Sequence, residues 1–590
     1  MRHHVGGQSV SGACVRNRID FTQPPEALFL DPIRDSGLQF LRRPDFIWRD
    51  RTPALIEGFA LSAYPVMRRR IDRFLRFTRR HKTFRRAIEF NTLPVLLEQA
   101  SFRQSFATAK GKCLLSGASG FRLMNRYCWE NETATQDAPA QLVAYFQDRQ
   151  AQSQGLAFPV LAEPPPPGTD FALQCRNTFN YFHFLTETLP HLCLLDGIGF
   201  TGRIFINHPN APEKTRAFAF DLIGALFPEW ADRVIFRQAP QDYGSVLSGY
   251  NLINSYYHLP PELIGSVDGL APSDLLWKGT TATRAAQSVL AMNSLDTCLL
   301  HLRERALRAI AGRPRHHLPR RFYVARRPDQ SRRRPLKGEA ALLDLLSAFG
   351  FSKIHFEDFE PLDQIALMAG AEVMVSVHGA GFANMLFAAP GALVIELGTL
   401  QTAQHRWGDF WPLAHASGCR YLSFFADHDT PDPLRDPDFA QEGIVPVALG
   451  DHALGQLGAF LAASLGHVPR LENPTPAADL VRQLIRSDQA QHAEAILSSH
   501  ADLMGQGAPL HLAQADLHRA AGSYHAELLS LHDAWLADAS DWRILARMIW
   551  AARKLERLDV LAWAKAQLAE RFPDRCSALA RDRPWLRDLG

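Results

Sequence analysis

A chain of 590 residues is too long for a single hydrophobic core, and at about 150 residues per domain it points to three or four domains. Apolar residues make up 46% and charged residues 21%, which excludes a disordered chain. Lys plus Arg number 64 against 61 acidic residues, so the net charge of +3 gives no global electrostatic case for nucleic-acid binding.

The N-terminal stretch has no apolar core of signal-peptide length, and no run of ~18 uncharged apolar residues occurs, so no membrane span is read. The eight cysteines are scattered and form no Cys-x-x-Cys pair, which argues against a disulfide framework and a cysteine zinc site. A reducing compartment fits best, and the expectation is a cytoplasmic protein.

Residues 1–100 read as an N-terminal extension. Within it, Ile71, Phe74, Leu75 and Thr78 recur at helical spacing with arginines between them. A basic amphipathic helix over 66–86 can lie on an anionic lipid surface or pack its apolar stripe on the body. Residues 112–129 carry short strand-like runs followed by a helical pattern, and "EPPPPGTD" at 163–170 is a stiff connector. Strands are expected over 202–208 and 232–238, with a helix over 212–227 between them. One long helix is expected over 281–312.

A second strand–helix series then begins. Strands are expected over 321–327, 352–358, 371–377 and 391–398, with helices over 338–350, 361–370 and 381–389. The rhythm implies an α/β fold with two Rossmann-like lobes facing across a cleft: 101–312 as the first and 313–470 as the second. From 471 to 590, Ala- and Leu-rich patterns recur at roughly the 34-residue period of tetratricopeptide hairpins.

Three segments carry candidate chemistry. In "VMVSVHGAGFANMLF", His378 ends a buried-strand pattern, and Gly379 and Gly381 allow a sharp turn and close approach by a ligand. The following helix would aim N–H groups at the same spot, an anion site. Glu396, at the end of the next strand, is placed to hold ribose hydroxyls. In "NYFHFLTETLP", His183 and Glu187 lie four apart on a helix. They suit a general base and its orienting carboxylate, or a half-buried structural histidine. In "YVARRPDQSRRR", Arg326 and Arg327 suit a phosphate clamp, or sit in a solvated basic loop. Asp427-His428-Asp429 is either a divalent-ion site or a solvated acidic turn.

Taken in order, these segments resemble glycosyltransferase family 61. The matches are Asn180, Tyr181, His183, Leu189 and Pro190; then Tyr323, Arg326, Arg327, Ser331 and Arg333; then Gln364, Gly370, Ala371 and Glu372. His378, Gly379, Ala380, Gly381, Asn384, Phe387, Pro390, Gly391, Ile395 and Glu396 complete the set, over about 170–400. The chain departs from the family pattern at Phe184, where the family has Trp, at Glu187, where it has Asp, and at Lys337-Gly338.

The resemblance implies a GT-B architecture with donor nucleotide-sugar in the second lobe and acceptor in the first. It also implies an inverting transfer with no metal or other cofactor. The donor is expected to be uridine-linked and the acceptor a glycan or lipid-linked saccharide. His183 is then expected to be the base, with Glu187 as its orienter or as the base itself. Asn180, Tyr181, Arg326, Arg327, Arg333, His378, Gly379, Ala380, Gly381, Asn384 and Glu396 contact substrate. The competing readings are a non-catalytic scaffold using 471–590 for a protein partner or self-association, and a histidine-based metal hydrolase.

Overall fold

The computed structural model describes residues 19–43, 49–82, 87–104, 106–131, 138–153, 155–211, 214–254, 294–327, 335–465, 471–486 and 490–586. Two large sheets dominate it. The first runs in the order Val234–Gln238, Ile204–His208, Phe171–Gln174, Gln241–Asn251, Thr92–Phe102, Ala107–Ala109, Lys112–Cys113, with Leu38–Phe40 also on Thr92–Phe102. Its first four strands are parallel neighbours. Gln241–Asn251 then meets Thr92–Phe102 antiparallel, and the remaining strands follow that sense. The first sheet is therefore mixed rather than purely parallel.

The second sheet is the parallel one. Its order is Ser352–Ile354, Arg321–Val324, Val373–Val377, Leu393–Thr399, Arg420–His428, Val447–Ala448. Only the last pairing is antiparallel. Val373–Val377 and Leu393–Thr399 are buried at every position, as two-sided covering by helices requires. In chain order the strands run 2-1-3-4-5, so the direction of winding reverses between Arg321–Val324 and Val373–Val377. Open α/β sheets bind ligands outside the carboxyl ends of strands at such a reversal.

The first hundred residues do not stand apart as an extension. Leu38–Phe40 and Thr92–Phe102 belong to the first sheet, whereas Ile56–Ala60 pairs parallel with Tyr421–Phe425 in the second. The helix Pro65–Lys82 buries Met67, Ile71, Leu75 and Thr78 and leaves Arg69, Arg73, Arg76 and Arg79 outward. Its apolar stripe is thus committed to the protein body.

Two further expectations change. Residues 117–129 are helical, within Gly117–Asn131, because Leu123, Met124, Tyr127 and Cys128 fall on one buried face. The long helix expected over 281–312 is a strand at Ser294–Asp296 and a helix at Thr297–Ala309, capped by Asp296. Residues 281–293 lie outside the described residues.

One continuous apolar cluster joins the sheets. It contains Phe171, Leu173, Ile204 and Ile206 from the first and Phe322, Val324, Met374 and Val394 from the second. The other face of the second sheet packs Tyr323, Val375 and Ile395 against helices Glu339–Ala348, Asp451–Leu465 and Pro474–Arg486. From there a helical array continues to Pro573–Asp582, the later members sharing their own core around Leu531, Leu545 and Leu561.

This arrangement separates two truncations. A chain ending at 470 loses Leu471, Ala477, Leu480, Val481 and Leu484 from the second sheet's core and should enter the insoluble fraction. A chain ending at Gly522 keeps them and should remain in the soluble fraction.

Candidate active site

The segment after strand Phe171–Gln174 positions the first histidine. Asn180 caps the turn Tyr181–His183 by accepting from the His183 backbone N–H, and its own N–H donates to Asn177 Oδ1 at 2.9 Å. The helix then widens into a π-turn over Phe184–Thr188 and tightens to a 3-10 helix at Leu189–Leu195, where Pro190 has no N–H to continue the α ladder. π-turns inside helices are frequent at functional sites.

His183 Nδ1 donates to Glu187 Oε1 at 2.8 Å. Arg176 lies 3.6 Å from the same carboxylate. Burial raises the pKa of Glu187, but its hydrogen bond to His183 and the charges of His183, Arg122 and Arg176 outweigh that and hold it below the usual carboxylate range. Glu187 is therefore an anion that fixes the His183 tautomer and leaves Nε2 to accept a proton.

The second histidine sits at the winding reversal. His378 follows Val373–Val377, and its Nδ1 donates to Glu396 Oε1 at 2.5 Å. Glu396 is completely buried and also accepts from Tyr421 Oη at 2.5 Å and Ser423 Oγ at 3.1 Å. The expectation that Glu396 holds ribose hydroxyls is corrected by this geometry. Its oxygens are engaged by three protein donors and solvent does not reach it, which leaves it facing His378 rather than an open cleft. Burial first, and then the neighbouring Glu396, push the Tyr421 phenol far up, which keeps it a donor.

Arg326, just past Arg321–Val324, donates to the His378 carbonyl. A β-carbon on Gly379 would stand 2.6 Å from that guanidinium, so close approach is what glycine supplies here. Gly379 itself is extended, at φ 179°. The helix that follows, Ala380–Phe387, is 3-10 rather than α and begins with the N–H groups of Ala380 and Gly381. Arg327 turns to Asp358 in an exposed ion pair. Arg333 lies outside the described residues.

Asn384 is completely buried and joins the two sheets. Its Oδ1 accepts from Tyr181 Oη at 2.6 Å, and its Nδ2 donates to Gln364 Oε1 at 3.2 Å. Tyr181 and Asn384, expected to touch substrate, hydrogen-bond each other across the two halves of the site. Beside them the Phe182 ring packs edge-on against Phe410 at 5.4 Å. The His183 ring stands 5.4 Å from Phe182, and the His378 ring 5.1 Å from Phe410. The two imidazoles therefore flank one aromatic contact between the sheets.

Sequence reasoning missed Tyr421 and Ser423. Their signal was present as polar atoms at alternate positions of the apolar run "RYLSFFA", facing the same way on a strand. Asp427 accepts from Ser62 Oγ and from the Ala63 N–H at 3.1 Å, so the first carboxylate of Asp427-His428-Asp429 ties down a turn. Among the described residues no group of three His, Cys, Asp or Glu side chains is placed to hold a metal ion.

A family model described as Glycosyltransferase 61 matches residues 181–395. The span takes in His183, Glu187, Arg326 and His378 and stops one residue short of Glu396. No curated protein matches the chain.

Proposed function

We propose, from the Glycosyltransferase 61 family model that matches residues 181–395, that this chain moves a sugar from a nucleoside diphosphate to a hydroxyl of a glycan or lipid-linked saccharide. The proposed transfer inverts the anomeric carbon and uses no metal, with uridine diphosphate as carrier. The proposed setting is a cytoplasmic GT-B enzyme. Residues 101–312 supply most of its acceptor lobe, completed by Leu38–Phe40 and Thr92–Phe102, and 313–470 most of its donor lobe, completed by Ile56–Ala60, with the tetratricopeptide-like helices of 471–590 packed on from Pro474–Arg486.

The observation that carries this reading is the pair of imidazoles, each with Nδ1 tied to a carboxylate, on either side of the Phe182–Phe410 contact. In the proposed step, His183 Nε2 takes the proton of the acceptor hydroxyl as its oxygen attacks the anomeric carbon. The bond from that carbon to the diphosphate oxygen breaks, and the nucleoside diphosphate leaves with the electron pair. Glu187 holds the imidazole and supports the imidazolium that forms.

On the donor side, His378 Nε2, the N–H groups of Ala380 and Gly381, and the guanidiniums of Arg326 and Arg327 oppose the charge developing on the diphosphate, with Arg333 assisting. Arg326 reaches the His378 carbonyl through one nitrogen, and its remaining N–H groups suit phosphate oxygens. Membrane contact through 66–86 would rest on the outward arginines together with exposed Val66 and Phe77, because Met67, Ile71 and Leu75 are in the core. A partner or second copy would meet exposed Leu529, Leu536, Leu558 and Trp563 on the helical array.

The test is a thermal-shift screen with nucleoside diphosphates and their sugars, followed by assay of donor hydrolysis. A uridine-linked donor should raise the melting temperature and release its sugar slowly without acceptor. A panel that leaves melting unmoved and releases no sugar overturns the proposal.

A further inference from the structure

The first sheet has a winding reversal of its own. Phe171–Gln174 is followed by Ile204–His208 and Val234–Gln238 on one side, and the chain then returns to place Gln241–Asn251 parallel on the other. The crevice outside the carboxyl ends of Phe171–Gln174 and Gln241–Asn251 is thus a second position where open α/β sheets take ligands. The start of helix Gly117–Asn131 stands there, since the Asn251 N–H donates to Ser116 Oγ at 2.9 Å and Asn254 Nδ2 to the Gly117 carbonyl at 2.8 Å.

Four side chains converge beside it. Arg122 donates to Ser119 Oγ at 3.1 Å, and Ser119 Oγ donates to Gln174 Oε1 at 3.0 Å. Arg122 Nε and Gln174 Nε2 are both buried donors with no acceptor among the described residues. Buried donors left unpaired are costly, and a native site that keeps two of them is built for something that supplies acceptors. Arg176 follows the same strand, and its exposed end lies against His183 and Glu187. Arg176 thus shares the Glu187 carboxylate with His183, and Arg122 lies near enough to both for their charges to act on it. Burial depresses the Arg122 guanidinium, with Glu187 working against the depression and Arg176 adding to it.

We infer that Ser119, Arg122, Gln174 and Arg176 form a seat for an anionic group of the acceptor, a carboxylate or phosphate on the saccharide, adjacent to the His183 base. The inference rests on the proposed transferase reading. The seat belongs to the acceptor because it lies on the same sheet and the same strand end as His183, whereas the donor-side groups lie on the other sheet. Planar guanidiniums with a fork of donors fit carboxylate and phosphate oxygens, and the two orphaned N–H groups supply the remaining hydrogen bonds.

The experiment is a binding titration of the full chain with tri-galacturonate, its uncharged methyl ester, and uridine diphosphate. The proteins are the parent, Arg122→Gln and Arg176→Gln. The parent should prefer the acid to the ester by about tenfold, the scale of one charge-assisted contact. Both variants should lose most of that preference and keep the parent's affinity for uridine diphosphate. Arg176 is exposed, so its variant reads the seat even where Arg122→Gln misfolds.

Absence of any acid-over-ester preference in the parent overturns the inference, as does a preference that survives in both variants. Loss of uridine diphosphate binding in the variants, with acid binding intact, overturns the acceptor assignment in favour of the donor. A parent that prefers the acid but responds to no nucleoside diphosphate keeps the seat and sinks the transferase reading, so the two failures are told apart.

Discussion

A His183→Ala protein should melt where the parent melts and transfer sugar about 10²–10⁴-fold more slowly. The imidazole is half-buried, and its side chain makes no bond that joins the two sheets, that link running instead through Tyr181 to Asn384. Removing the ring costs Glu187 one donor while Arg176 remains 3.6 Å away, so the carboxylate is not stranded. Acceptor deprotonation, by contrast, has lost its base. Binding of the nucleoside diphosphate should be unchanged, because the donor-side groups are untouched. Comparison of single-turnover transfer with diphosphate affinity checks both halves, and unchanged transfer by a folded His183→Ala protein would remove the imidazole from the chemistry.

The Glu396→Ala substitution should behave in the opposite way, reducing stability and activity together. The carboxylate is the common acceptor for His378, Tyr421 and Ser423, and all three groups come from adjacent parallel strands or their ends. Its removal strands buried donors and opens a cavity, with an expected loss of about 3–5 kcal/mol in denaturant unfolding. His378 would also lose the partner that sets its tautomer, so any residual folded protein should bind the diphosphate weakly. A Glu396→Gln protein keeps the volume and one acceptor and should lose less stability. Equal stability of Glu396→Ala and the parent would contradict the network.

The second sheet was the most legible part of the chain, because its strands are short, mostly apolar and punctuated by glycine and proline. Each of the strands expected over 321–398 appears within a few residues, and His378 and Arg326 stand at strand ends as the alternation implied. The His183–Glu187 pair was legible because it is local, four residues apart on one helix. What failed to show was whatever depends on a third element. Glu396 reads as a strand-end carboxylate open to ligand until Arg420–His428 brings Tyr421 and Ser423 against it.

Asn384 reads as a substrate contact until the first sheet delivers Tyr181. Arg122 and Arg176 sit 54 residues apart by their numbering, Arg122 on a helix whose "GASGF" start reads among strand-like runs and Arg176 just past the strand Phe171–Gln174. Ile56–Ala60 is too brief to announce a place in a sheet formed mostly by residues beyond 320.

That short strand has a consequence for synthesis. Ile56–Ala60 finds its parallel neighbour only at Tyr421–Phe425, and Ser62 its hydrogen-bond partner 365 residues later. At ribosomal speeds of 5–20 residues per second, the early segment waits about 20–70 s with Phe59 and Leu61 unshielded. So late a closure predicts that a holdase chaperone occupies this stretch on the nascent chain, and that expression without such chaperones gives aggregates seeded from the amino-terminal end.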